Sequence, residues 1–139
     1  MIITERKPLE EILESLKGHK NIFLIGCGEC STTCKTGGEP ELSNMKAFLE
    51  EHGKRVIGSA IPNAPCIAAQ TKTEFAKNIN KLREADAILV LACGLGVQSV
   101  KDNDRFSLEV LPALNTVFGA VMDAKGNFQE KCSMCGECV

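Results

Sequence analysis

The sequence predicts an α/β fold, an open parallel sheet sandwiched by helices in the flavodoxin or Rossmann manner, with a small C-terminal cysteine knuckle. Three observations carry this. The apolar runs 21–26 (N-I-F-L-I-G) and 87–92 (A-I-L-V-L-A) have the length and composition of strands buried on both faces. Segments with apolar residues at helical spacing separate the strands. Strands and helices in alternation build a parallel sheet with right-handed crossovers.

Leu9, Ile12, Leu13 and Leu16 fall at i, i+3, i+4 and i+7, an amphipathic helix that begins near Pro8 and can end at Gly18. The first strand, 21–26, opens into a cysteine loop. Leu42, Met45, Phe48 and Leu49 mark a second helix, closed by Gly53. Residues 55–61 form a second strand and lead into the loop P-N-A-P-Cys66. Phe75, Ile79 and Leu82 define a third helix, and 87–92 the third strand, ending at Cys93-Gly94-Leu95-Gly96. A short helix from Val97 and a weaker fourth strand at 108–114 follow. From Ala120 the pattern changes, and A-V-M-D-A-K-G-N-F-Q-E-K reads as a hairpin turning near Lys125-Gly126-Asn127. Residues 1–119 are thus expected to form the α/β cluster-binding unit, and 120–139 the hairpin and metal knuckle.

The length of 139 residues suits about one domain, and 44% hydrophobic residues can bury a core. Trp and Tyr are absent, so Phe, Ile, Leu and Val must build it. Sixteen basic against eighteen acidic residues give a net charge of −2 with no like-charge run, which points away from nucleic acid and anionic membranes. No stretch approaches the roughly 18 apolar residues of a membrane span, and the start M-I-I-T-E-R-K-P lacks a signal peptide's apolar core.

Eight cysteines are many for this length, and six lie in two tight clusters: Cys27-G-E-Cys30-S-T-T-Cys34 and Cys132-S-M-Cys135-G-E-Cys138. Disulfides usually join distant segments, whereas clustered thiols let one short loop wrap an inorganic centre. Metal and a reducing cytoplasm are therefore expected. Cys27, Cys30 and Cys34 follow the first strand, Cys66 the second and Cys93 the third. All three loops lie at one carboxyl edge of a parallel sheet, where open α/β folds bind ligands. A 4Fe-4S cluster needs four thiolates. Cys27, Cys30 and Cys34 with Cys93 are the first choice, Cys66 the rival fourth ligand, and zinc the alternative to iron–sulfur. The terminal triplet matches the first three ligands of a bacterial ferredoxin run. Its fourth ligand can come from the spare thiol of the first site, from a partner chain, or from sequence beyond Val139, where the abrupt end reads as a truncation. One or two clusters are therefore expected.

Other motifs read more simply. Cys27-G-E-Cys30 resembles a redox dithiol, but Cys34 and the converging thiols argue against that chemistry. Gly26-x-Gly28 and Gly94-x-Gly96 lack the third glycine of a nucleotide-binding turn. His19 and His52 suit helix C-termini. Asp86 and Asp104 read as a helix end and a loop acid, and Glu29, Glu39 and Glu137 as solvated or helix-start acids. Phe23, Phe48 and Phe75 belong to the core. No Ser–His–Asp or other catalytic constellation stands out.

Five segments together resemble a known family: I-G-Cys27-G-E-Cys30-S-T-T-Cys34-K-T-G-G-E, I-P-N-A-P-Cys66, A-D-A-I-L-V-L-A-Cys93-G-L-G-V-Q-S, L-P-A-L-N-T at 111–116, and the terminal triplet. From about residue 20 onward the chain resembles the cysteine-rich C-terminal domain, or small subunit, associated with methylenetetrahydrofolate reductase in acetogens and other anaerobes. The resemblance implies an accessory subunit that carries electrons through iron–sulfur centres to a flavin-containing methylenetetrahydrofolate reductase subunit in one-carbon metabolism. It also implies an association with zinc, and further cysteines after the terminal triplet. A non-redox zinc-binding interaction module is the competing expectation. On either reading the chain is not expected to catalyse a reaction alone.

Overall fold

The structure, a computed structural model, describes residues 1–138. Thirteen elements follow one another among them: β1 (Ile2–Arg6), α1 (Leu9–Ser15), β2 (Asn21–Ile25), α2 (Cys30–Thr33), α3 (Glu39–Glu51), β3 (Arg55–Ala60), α4 (Ala68–Lys77), α5 (Ile79–Glu84), β4 (Ala87–Val90), α6 (Gly94–Asn103), β5 (Glu109–Pro112), β6 (Leu114–Met122) and β7 (Phe128–Cys132). The fold is α/β. A four-stranded parallel sheet has the order β3-β2-β4-β5, and a three-stranded antiparallel sheet the order β1-β6-β7.

Period-two alternation in β2 and β4 divides the core into two layers. Ile22, Leu24, Ala87 and Leu89 face α1 and α3, where Ile12, Leu16, Leu42, Met45 and Leu49 cover them. Phe23, Ile25, Ile88 and Val90 face the other way, onto Phe75, Leu82 and Val100 of α4, α5 and α6. The isoleucines and leucines of β2 and β4 are at most 1% exposed, and each such burial stabilises by roughly 2 kcal/mol. This double-sided burial is why the two strands read as continuous apolar runs.

Helix α3 begins where its sequence says it should. Pro40 stands at its start, Glu39 and Glu41 favour the positive end of the helix dipole, and Glu41 Oε2 accepts the Gly38 N–H at 3.0 Å. The single helix expected around Phe75, Ile79 and Leu82 is two helices broken at Asn78. There the Asn78 side chain donates to the Glu74 carbonyl and its N–H to Glu74 and Phe75.

The antiparallel sheet departs most from the sequence reading. The hairpin turn lies near Lys125-Gly126-Asn127 as expected, with Gly126 at φ +86° and Asp123 accepting the Lys125 and Asn127 N–H groups. However, β6 starts at Leu114, so the expected boundary at 119/120 falls inside one continuous strand. Its first part, Leu114 to Gly119, pairs with β1, a strand the sequence reading left out. No helix among the described residues is long and apolar enough to cross a membrane.

Candidate metal centre

In the parallel sheet β2 lies between β3 and β4, so the chain turns outward one way after β2 and the other way after β4. The crevice between their carboxyl ends is where such sheets receive ligands. Cys27 lies at the end of β2, one residue past Gly26, and Cys93 at the end of β4, as the residue before α6. Cys66 lies in the loop after β3.

Backbone contacts draw the three loops together. Cys27 N–H donates to the Gly37 carbonyl at 3.0 Å and Gly28 N–H to the Pro62 carbonyl at 3.0 Å. Asn63 Nδ2 donates to Glu29 at 2.8 Å. The loop carrying Cys66 is supported from α4, where Thr71 Oγ1 donates to the Pro65 carbonyl at 2.8 Å and Gln70 accepts the Ala64 N–H at 2.6 Å. Gly96 lets α6 approach that loop, since a Cβ there would stand 3.3 Å from Pro65 Cγ and 2.8 Å from Ala92 Cβ. The glycine of Gly94-x-Gly96 thus serves packing between the Cys66 and Cys93 loops.

The second sheet reaches the same rim. Ile2 N–H in β1 donates to Cys30 Sγ at 3.5 Å, and the Cys34 thiol donates to the Ile2 carbonyl at 3.8 Å. Thr4 and Thr36 share a hydroxyl hydrogen bond of 2.7 Å, which joins β1 to the cysteine loop. Thr116 Oγ1 of β6 accepts the Gly94 N–H at 2.9 Å beside Cys93. Ile2, Thr4, Thr36 and Thr116 therefore shape the site, and sequence reasoning missed them. Their only sequence signal was β-branched residues near the chain start and in the string L-P-A-L-N-T.

All eight cysteines are free thiols. Cys27 is buried, at 7% exposed, Cys30, Cys34 and Cys93 are half-buried, and Cys66 is exposed. Although solvent reaches Cys66, partial withdrawal of its thiol pushes its pKa above the ordinary value. Cys93, Cys27 and, most weakly, Cys30 act in the same direction, while its own backbone N–H opposes them. Charges act on one another in this way only at short range, so Cys27, Cys30, Cys66 and Cys93 share one locale. Cys34 lies in the same loop with its thiol turned to β1. Among the described residues, no three His, Cys, Asp or Glu side chains are gathered closely enough to hold a metal ion as placed. The donor set fits a thiolate-held centre in kind and in topology, with free thiols on three loops that leave one edge of the parallel sheet.

The terminal triplet is exposed throughout. Its turns suit thiolates. Met134 N–H donates to Cys132 Sγ at 3.4 Å, and Met134 and Gly136 have φ of +60° and +80°. The Glu137 N–H and then the Ser133 side chain hold the Cys135 thiol below its ordinary range. The triplet is not remote from the first group. Gly119 pairs with Ile2 on one side and Cys132 on the other. A cavity of about 290 Å³ is bordered by Ile2, Cys93 and Met134.

Asp86, Asp104 and His52 have structural partners. Asp86 accepts the Lys20 and Asn21 N–H groups at the entry to β2, and Asp104 those of Phe106 and Leu108. His52 is the C-cap residue of α3, with Nδ1 2.8 Å from the Phe48 carbonyl. Comparisons with protein-family models, curated proteins and solved structures find no match for this chain.

Proposed function

We propose that this chain is the iron–sulfur electron-transfer subunit of a methylenetetrahydrofolate reductase complex, passing electrons to a flavin-containing partner in one-carbon metabolism. The observation that carries the reading is that the loops bearing Cys27, Cys30 and Cys34, then Cys66, then Cys93 all leave the carboxyl edge of one parallel sheet, where the connections after β2 and β4 run opposite ways. The strand order, counted along the parallel strands alone, is 2-1-3-4, which supports a flavodoxin-like sandwich with its ligand at the switch point. Free thiols suit a reducing cytoplasm.

When bound, a 4Fe-4S cluster supplies one-electron transfer at a potential set by its thiolates, their hydrogen bonds and solvent exposure. The residues of this chain supply the setting. Cys27, Cys30 and Cys34, with Cys93 or its rival Cys66 as the fourth ligand, would hold the cluster. Ile2 N–H gives Cys30 Sγ a hydrogen bond, one of the contacts that would tune a bound cluster. The buried end of β2 dries the inner side, while the outer side stays open. Ile67 and Leu95, next to Cys66 and near Cys93, are 50% and 62% exposed. They give a docking protein an apolar foothold beside the centre.

A second reading, a zinc-binding interaction module, draws support from the terminal triplet. Its turn already directs an N–H at the Cys132 thiol and lowers the Cys135 thiol, as a thiolate zinc site needs. Substituting Cys30→Ser in anaerobically prepared protein separates the readings. The electron-carrier reading expects the EPR signal of the reduced protein and electron delivery to the flavoprotein to fall together. An unchanged signal contradicts it.

A further inference from the structure

We infer that a second site, on the α1–α3 side of the molecule, binds a small organic anion: a carboxylate or phosphate carried on an apolar body. A cavity of about 450 Å³ opens between the end of β1, the loop after α2 and helix α3, within the range of small-molecule sites. Two cations line it, Arg6 from β1 and Lys35 from the loop, and among the described residues neither is paired with a carboxylate. Glu41, the one acid on the wall, has an oxygen engaged by the Gly38 N–H. The rest of the lining includes Leu9, Phe48 and the almost fully buried Leu91. Two free cations over an apolar floor match an anion joined to an apolar body, and the volume exceeds that of a bare phosphate ion.

Lys35 adds an independent observation. Helix α2 ends in a Schellman motif, with Thr36 N–H on the Ser31 carbonyl at 2.9 Å and Lys35 N–H on Thr32 at 3.0 Å. The left-handed position of that motif, usually glycine, holds Lys35 at φ +56°. The backbone gains nothing from a side chain there, whereas the cavity gains a charge. The hydroxyl bond between Thr4 and Thr36 fixes β1 to this loop, so Arg6 and Lys35 are presented together. The proposal needs no metal and stands apart from the electron-carrier reading.

The test is saturation-transfer difference NMR on the whole chain, with benzoate, phenyl phosphate and neutral benzamide as probes. Expected is saturable binding of at least one anion, with Kd on the order of 1 mM for a fragment of this size, and none of benzamide. The better of the two anions identifies the head group. Arg6→Gln and Lys35→Gln should each weaken binding about tenfold, the effect of losing a charged hydrogen bond. Lys46→Gln, an exposed lysine of α3 outside the cavity lining, should leave it unchanged. Lys35→Gly should unfold no earlier than the parent and still lose binding. Equal binding of benzamide, no saturation by either anion, or full binding by Lys35→Gly overturns the proposal.

Discussion

Cys66 and Cys135 are both solvent-exposed cysteines, yet their thiols are displaced in opposite directions. Partial withdrawal from water and neighbouring thiols raise the first; the N–H of Glu137 and the Ser133 side chain lower the second. Only the thiolate is nucleophilic. In metal-free protein at neutral pH, iodoacetamide should therefore label Cys135 several-fold faster than Cys66, as read by peptide mass spectrometry. Equal rates would contradict the opposite displacement of the two thiols. Gly37 makes a sharper steric demand. A Cβ there would run into the Leu91 carbonyl oxygen and stand 2.9 Å from Ser31 Cβ. The contact is with backbone, so no rotamer relieves it. Gly37→Ala should cost roughly 3 kcal/mol in a chemical denaturation experiment, because the whole cysteine loop must shift. Lys35 has the converse problem, a side chain where glycine is easier by about 1 kcal/mol.

Strands β2 and β4, with the helices covering them, were legible in the sequence because burial on both faces leaves an unbroken apolar run. The cysteine positions relative to these strands were legible for the same reason, since a parallel sheet sends all its carboxyl ends to one edge. Strand β1 was not. Its residues I-I-T-E-R lack a clean alternation, and its partner β6 is more than a hundred residues away in sequence. With β1 unseen, the contacts of Ile2 to Cys30 and Cys34 were also out of reach. The break at Asn78 was missed because helical periodicity continues through it. One hydroxyl pair tests how far β1 organises the site. Thr4→Val should lose about 1 kcal/mol and speed amide exchange at Thr36, while preserved exchange would show that the loop holds itself. The hairpin offers a pH test. Hydrogen bonds from Asn127 and Lys125 hold the Asp123 carboxyl below its ordinary range. A depressed folded-state pKa means this contribution is present above the unfolded value and lost as pH falls through the folded one. Protection of the Lys125 and Asn127 amides should persist at neutral pH and fade only on acidification below the usual carboxylate range.

Taken as a molecule, the chain has two sheets that meet at one rim, and its cysteines follow that meeting. The parallel sheet brings Cys27, Cys66 and Cys93, β1 contacts Cys30 and Cys34, and β7 ends at Cys132 with Met134 beside the cavity that Cys93 borders. Such a layout places two thiol groups on one side of the molecule, beside the exposed Ile67 and Leu95. If the chain acts as the proposed electron carrier, substituting Ile67 and Leu95 by serine should slow electron delivery to the proposed flavoprotein partner while leaving metal content unchanged; an undiminished rate would move the proposed docking surface elsewhere. The central claim is the nature of the centre itself. Anaerobic purification followed by metal and acid-labile sulfide analysis, together with an optical spectrum, addresses it most directly. Iron with matching sulfide and a broad visible absorption that bleaches on reduction is the predicted result, four irons per chain if the first group alone is filled and eight if both are. Stoichiometric zinc without sulfide would contradict it.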